Sequence, residues 1–266
     1  MERTDHNANA AFTQSSAFEL AVLSEIGDRT EQQDSFGYAV NENNCLVVVC
    51  DGMGGHSGGK IASSTAVDQI LQNFTSQYPK MDAIPFLKHA TFAANSAVCA
   101  LHESNRMLHN CGTTLACVLV DRDALYWSAV GDSRIYLFRA GELIRVTVDH
   151  NYGTVLDEQL KAGVINQAIY EREVHKAEGL ISYLGLKGLP LVDYNKAPLM
   201  LQHGDVALLM SDGAYRMIPD ERMCSMVANF LNIQDAVRAI SLQAKRYAMN
   251  THISQDNLTV AIIKIK

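Results

Sequence analysis

Three aspartates of this chain share one setting. LVVVCDG reaches its carboxylate at Asp51, WSAVGDS at Asp132 and ALLMSDG at Asp212. In each, an apolar run leads through a small residue to the aspartate, and glycine or serine follows. A fourth, Asp256, stands immediately before the apolar run NLTVAIIKI. Clustered carboxylates repel one another, and a buried one is costly unless it is paired or bound to a cation. Lysine or arginine partners are one solution, but none falls within three residues of Asp51 or Asp256. Hard divalent cations such as Mg²⁺ or Mn²⁺, which prefer oxygen ligands, are the other. The glycines after Asp51 would let a backbone carbonyl and waters approach such an ion closely. A single Asp-Gly at a strand end is more often a plain turn; the repeated setting, with Asp256 added, favours a metal site.

The elements around these residues must bring them together. Strand-like runs occur at FELAVLS, SFGYAV and CLVVVC, then at TTLACVLVD, ALYWSAVG, RIYLFRA and ELIRVTV, and again at VDYNKAPLML, DVALLMS and NLTVAIIKI. Helical patterns come in two adjacent pairs. The first pair carries Ala62, Ala66, Ile70 and Phe74, then Phe86, Ala90, Ala93, Ala97 and Leu101 between about Asp82 and Met107; the second spans about 219–230 and 234–248. Strands in runs with helices in pairs indicate antiparallel sheets covered by helical hairpins rather than a βαβ sheet. The expected fold is α+β, a four-layer sandwich of two packed antiparallel β-sheets flanked on each side by a pair of helices. In antiparallel sheets the start of one strand lies beside the end of its neighbour, so the four aspartates could converge at one edge.

One rival motif sits in the same place. Gly54 to Ile61 reads GGHSGGKI, one residue short of the phosphate-binding pattern GxxxxGK[ST]. Ile61 cannot supply the magnesium-binding hydroxyl, and the alternating βαβ order is missing, so the near match is taken as coincidence.

Bulk composition narrows the classes. The chain has 266 residues, 48% of them hydrophobic, enough to bury a large core. A net charge of -7 offers no basic field for nucleic acid or anionic lipid. The six cysteines form no CxxC pair and mostly sit in apolar runs, as free thiols of a reducing compartment do. The polar N-terminus lacks the apolar stretch of a secretory signal, and no apolar run reaches the ~20 residues that span a bilayer. A cytoplasmic protein with no nucleic-acid or membrane partner is expected. Residues 1–15 read as a disordered lead, 16–266 as a single catalytic domain, and about 150–190 as a mobile flap with one short helix near Val155–Ala162.

As a set, the motifs GDRTEQQDS (27–35), VVVCDGMGGHSGG (47–59), CGTT (111–114), VGDSRIYLFRAGEL (130–143), TVDHN (147–151), LLMSDG (208–213) and QDNLTVAII (255–263) resemble the metal-dependent protein serine/threonine phosphatases of the protein phosphatase 2C family, in its short bacterial form. The resemblance covers about residues 18–264. It implies two Mn²⁺ or Mg²⁺ ions, with Asp51 bridging them, Asp212 and Asp256 completing the first, and the Gly52 carbonyl serving the second. A water activated between the ions would attack phosphorus with no covalent enzyme intermediate. Arg29 matches the family's phosphate-binding arginine, and Gln33 and Asp34 stand behind the ligands.

Several positions depart from the family pattern. Gln33 occupies a site that is often glutamate. Met53 stands where animal members carry a histidine proposed as general acid, and His56 is the local substitute. His150 is assigned to structure. Arg216 falls where many members have an aspartate that, with Asp132, helps hold a third ion. An arginine there would repel that ion or pair with Asp132, so the third site is expected to be weak or absent.

The resemblance implies phosphoserine/phosphothreonine protein substrates, a monomer, and a cognate bacterial-type kinase. The contrasting reading is a catalytically impaired, phosphatase-like binding module, whose one support is Arg216.

Overall fold

The computed structural model describes residues 2–3, 9–55, 57–104, 108–230 and 232–266, with the side chains of 2, 3 and 104 excepted. One antiparallel sheet runs in the order β1 (Glu2–Arg3), β4 (Asp34–Val40), β5 (Asn44–Met53), β7 (Leu115–Asp121), β8 (Ala124–Val130) and β11 (Asp193–Tyr194). Two short strands join it from the side: β6 (Gly112–Thr113) on β5 and β12 (Leu199–Met200) on β8. The second sheet runs β10 (Glu142–Arg145), β9 (Arg134–Arg139), β13 (Val206–Met210), β14 (Leu258–Ile265), β3 (Phe18–Glu25) and β2 (Ala10–Gln14).

Apolar runs with no polar face are what a strand needs when both of its sides are covered, and the packing shows both covers. On β5, Cys45, Val47 and Val49 join the core between the sheets, whereas Leu46, Val48 and Cys50 face the helices α1 (Gly58–Gln77) and α2 (Ala83–Ser104). On β13, Ala207 and Leu209 point between the sheets. Val206, Leu208 and Met210 meet the core of α5 (Asp212–Tyr215), α6 (Asp220–Asn229) and α7 (Ile233–Thr251). Three cores thus separate four layers, helices–sheet–sheet–helices. The expected α1 stripe of Ala62, Ala66, Ile70 and Phe74 is buried. On α2 the buried stripe is Phe86, Ala90, Ala94 and Val98; Ala93 and Ala97 sit at its half-buried border.

Three expectations need correction. The lead expected to be disordered contains β2, paired to β3 from Ala10 opposite Leu23 to Gln14 opposite Glu19. Its sequence AAFTQ has one large apolar side chain, too little for a strand signal, and the ladder supplies what the pattern lacks. The segment expected as a flap with one helix holds α3 (Tyr152–Lys161), α4 (Gln167–Glu173) and a 3₁₀ turn at Val174–Lys176. No residue of α4 is buried, so it shows no apolar period to read. VDYNKAPLML yields only the two-residue strands β11 and β12. Pro198 between them offers no N–H, and Asn195 replaces the ladder with its side chain, accepting from Trp127 N at 3.0 Å and donating to Leu125 O at 3.1 Å.

Removing residues 1–15 should therefore lower stability by about 1–2 kcal/mol, a few net hydrogen bonds offset by the ordering of a short strand. Urea unfolding checks this: a midpoint equal to that of the full chain would return the segment to the status of a loose lead.

Candidate metal centre

The chain crosses between its sheets at one edge, and the chemistry collects there. Residues 26–33 connect β3 of the second sheet to β4 of the first, and 131–133 connect β8 to β9 in the opposite sense. Asp51 lies near the end of β5 and directly opposite Asp34 on β4. Its backbone is clamped: the amide donates to Thr114 Oγ1, and the carbonyl accepts from the Thr114 amide and the Thr113 hydroxyl, all at 2.9 Å. Asp212 opens α5 at the end of β13, and Asp256 precedes β14, so both come from the second sheet. Asp51, Gly52, Asp212 and Asp256 line one open cleft of about 720 Å³ with Arg29, Glu31 and Gln33. Asp34 and Asp132 are buried behind it.

Side chains without any local sequence signal hold this cleft. Asn257 accepts from Gln33 N at 2.8 Å and donates to Ile26 O at 2.8 Å and Glu31 O at 3.1 Å, which pins the crossing loop to the start of β14. Its amide donates to Asp256 Oδ1 at 2.8 Å. Ser211 donates to Asp34 Oδ2 at 2.8 Å and accepts from Thr259 N at 2.9 Å. Glu31 accepts from Ser57 Oγ at 2.6 Å and Gln33 Nε2 at 3.2 Å. Asn257, Ser211 and Thr114 all lie inside the quoted motifs, yet nothing in residue type or spacing assigned them a task. Their bonds reach to partners far away in the chain.

Gly52 shows why the loop after Asp51 has lost its side chains. A Cβ there would stand 2.1 Å from Gly59 O and 2.5 Å from Gln33 O. The β5 end, the start of α1 and the crossing loop meet at backbone distance, which only glycine permits.

Two arginines pair with carboxylates at the cleft. Arg29 NH2 lies 2.5 Å from Asp256 Oδ2, with its side chain 58% exposed. Arg216 touches three carboxylates: Asp212 Oδ2 from Nε at 3.1 Å, Asp132 Oδ2 from NH2 at 3.4 Å and Glu178 Oε1 from NH1 at 2.7 Å. His150 is buried and exchanges two bonds with Gly131: its amide donates to Gly131 O at 2.9 Å, and its Nδ1 accepts from Gly131 N at 3.2 Å. It therefore shapes the turn that presents Asp132. His56 lies outside the described residues.

The donor set is oxygen throughout, as Mg²⁺ and Mn²⁺ require. Among the described residues no three side chains close into a finished cage. Instead the carboxylates surround a cleft whose charge two guanidinium groups only partly offset, and the buried Asp34 Oδ1 has no hydrogen-bond partner among the described residues. A site so rich in carboxylate fits a hard cation.

The profile of the protein phosphatase 2C family matches residues 23–252. The chain belongs to that family. Protein phosphatase PhpP of Streptococcus pneumoniae is 30% identical over 253 residues, spanning 93% of this chain and 97% of its own. The Mycobacterium tuberculosis serine/threonine phosphatase PstP/Ppp superposes with a TM-score of 0.77 at 27% identity, covering 94% of this chain and 99% of its own. The PstP catalytic domain in complex with two manganese ions, also 27% identical, gives 0.75 over 94% and 98%.

In this phosphatase 2C chain four of the carboxylates, Asp34, Asp51, Asp132 and Asp212, resist ionisation. Burial, with Asp212 and Asp256 nearby, pushes Asp34 up to about 7 against the help of Ser211 and Thr259. Burial and Asp212 push Asp132 up to about 6, against Arg216. Burial and then Asp34 raise Asp51 well above the usual carboxylate range. Burial raises Asp212, with Arg216 opposing it and Asp256 adding to it. In the unfolded chain these groups titrate near about 4, so between about pH 4 and 7 the folded state binds more protons than the unfolded state. Stability without metal therefore falls as pH rises through that window. In EDTA the melting temperature should drop by about 5 °C or more from pH 5 to pH 8. Mn²⁺ should raise it more at pH 8, where the carboxylates it binds are ionised. Scanning calorimetry decides: a flat or rising metal-free profile would contradict this account of the cleft.

Proposed function

We propose that the chain is a metal-dependent protein phosphatase that hydrolyses phosphoserine and phosphothreonine in proteins, acting in the cytoplasm as a monomeric single domain against a bacterial-type serine/threonine kinase. The observation that carries this reading is the meeting of Asp51, Asp212 and Asp256, from two different sheets, with Arg29 in one cleft. Its PstP relative in complex with two manganese ions supports the same use of the site here. Asp51, Asp212, Asp256 and the Gly52 carbonyl would hold two ions of Mn²⁺ or Mg²⁺. Once bound, these supply a water acidic enough to be a nucleophile at neutral pH. Arg29, exposed and tied to Asp256 alone, would turn its guanidinium fork to the phosphate oxygens and stabilise charge as it builds. Asp34 and Gln33 would steady the ligands from behind. An impaired binding module is not favoured, since all three metal aspartates line the cleft.

Phosphate release from a phosphothreonine peptide tests the reading. Release should require Mn²⁺, stop in EDTA, and fall by about two orders of magnitude in Asp212→Asn, the scale of losing one transition-state stabiliser. Release that persists in EDTA, or a folded Asp212→Asn variant with full activity, would overturn it.

Arg216 already neutralises Asp132, so we propose that Asp132 holds no ion at rest. In Arg216→Ala, Asp132, Asp212 and Glu178 lose their shared counter-charge, and a calorimetric titration should show tighter or additional Mn²⁺ binding. A titration unchanged from that of the native chain would count against the assignment.

A further inference from the structure

Arg216 closes one turn after Asp212, and of its three carboxylate partners Asp212 lines the cleft and Asp132 lies buried behind it. The third does neither. Glu178 lies beyond the 3₁₀ turn, in the segment that carries α3 and α4. The Glu178 side chain is 78% exposed, and a pair between two free surface side chains is worth little, because both must be ordered to make it. Here most of that ordering is already in place. Arg216 is fixed by Asp212 and Asp132. The backbone on both sides of Glu178 is fixed by the start of α3: Tyr152 N donates to Gly179 O and Gly153 N to Ala177 O, each at 2.8 Å.

The same segment is tied to the cleft at a second place. His150 exchanges its two bonds with Gly131, the residue before Asp132, and accepts from Ile181 N at 2.9 Å. The connections run as a ring: Asp132 to Arg216, to Glu178, across to the start of α3, to His150, to Gly131 and back to Asp132. Fully buried apolar side chains add little to these ties. Leu156 is the one buried residue of α3, and α4 has none. Where apolar packing is this thin, a polar tie decides where the backbone rests.

We propose that Arg216 and Glu178 form a latch that sets the position of residues 150–181 beside the cleft, and that both are positioning residues for the polypeptide flanking the phosphorylated side chain. The substrate half of this inference rests on the phosphatase reading. A small aryl phosphate needs only the cleft and Arg29. A peptide must also lie across the rim that the latch holds, and a loosened rim must be ordered again each time a peptide binds. Glu178 contacts the cleft through Arg216 and acts on Asp212 only as a more distant charge, so at saturating Mn²⁺ it is the position at which to break the latch.

The experiment uses the full chain with Mn²⁺. Glu178→Gln should speed amide hydrogen exchange within residues 152–181. It should raise KM for a phosphothreonine peptide about two- to fivefold, the scale of one partly exposed ion pair, with kcat unchanged. Turnover of para-nitrophenyl phosphate should stay at the native level, and Glu178→Asp should restore part of the peptide KM. Arg216→Gln should reproduce the exchange effect. Unchanged exchange in both variants would overturn the latch, and so would a KM that rises equally for the aryl phosphate. A native chain that released phosphate from neither substrate would sink the phosphatase reading instead, while the exchange comparison would still decide the latch.

Discussion

Repulsion among carboxylates is the constraint on which this structure is built. Asp51 faces Asp34 across one sheet, while Asp212 and Asp256 approach from the other, in surroundings dry enough to hold several of them above their usual titration range. Charges at such distances push apart more strongly than they would in water. The fold answers with bonds that a site without this strain would not need. The Thr113–Thr114 pair grips the backbone of Asp51, Ser211 holds Asp34, and Asn257 ties the crossing loop to the start of β14. Each of these groups keeps a carboxylate where its neighbours oppose it. Local stability is given up at this edge so that a cation can restore it, as expected of a site built for binding.

Because Asp51 comes from one sheet and Asp212 and Asp256 from the other, the geometry of the cleft is the geometry of the sandwich. Leu20 and Val22 of β3, Val47 and Val49 of β5, and Leu209 of β13 pack in one core between the layers. That core fixes the spacing of Asp51 from Asp212 and Asp256 no less than their own side-chain torsions do. Interiors at this density transmit strain, so a misfit there would move the ligands relative to one another without touching any of them. The helices have a different task. They seal the outer faces, and α1 also brings Gly59 against Gly52 at the cleft.

The sequence showed the parts of this arrangement that are local. Apolar runs ending at Asp51, Asp132 and Asp212 marked strand ends, and the order of strands and helices led to two antiparallel sheets with helical pairs. Convergence followed from strand polarity alone. Three of the four aspartates do line the cleft, and the fourth is buried behind it, paired with the half-exposed Arg216. What could not be read is what depends on distant partners. Glu178 is unremarkable until the chain carries it to Arg216. Asn257, Ser211 and Thr114 look like ordinary polar residues beside strands. β2 borrows its order from β3, and α4 lacks the buried stripe by which a helix announces itself. In each case the decisive interaction lies outside any window of sequence in which periodicity can be counted.

The two arginines at the cleft differ in how they can respond to ligands. Arg216 has three carboxylates about it. Burial works against its charge, but Asp212, then Tyr215 and Glu178, raise its pKa above the ordinary value. To leave, it would have to abandon all of its partners at once. Arg29 is paired, among the described residues, with Asp256, feels Asp212 and Asp51 from farther off, and is open to solvent. On the proposed reading, a cation taken by Asp256 would loosen the pair that holds Arg29, leaving Asp212 and Asp51 to act on the guanidinium from farther off. Cation and phosphate would then bind with positive coupling, because each would relieve a charge left by the other, and such coupling is reciprocal. One exposed ion pair thus holds Arg29 at Asp256, while a single arginine among three carboxylates ties Asp212 and Asp132 to Glu178.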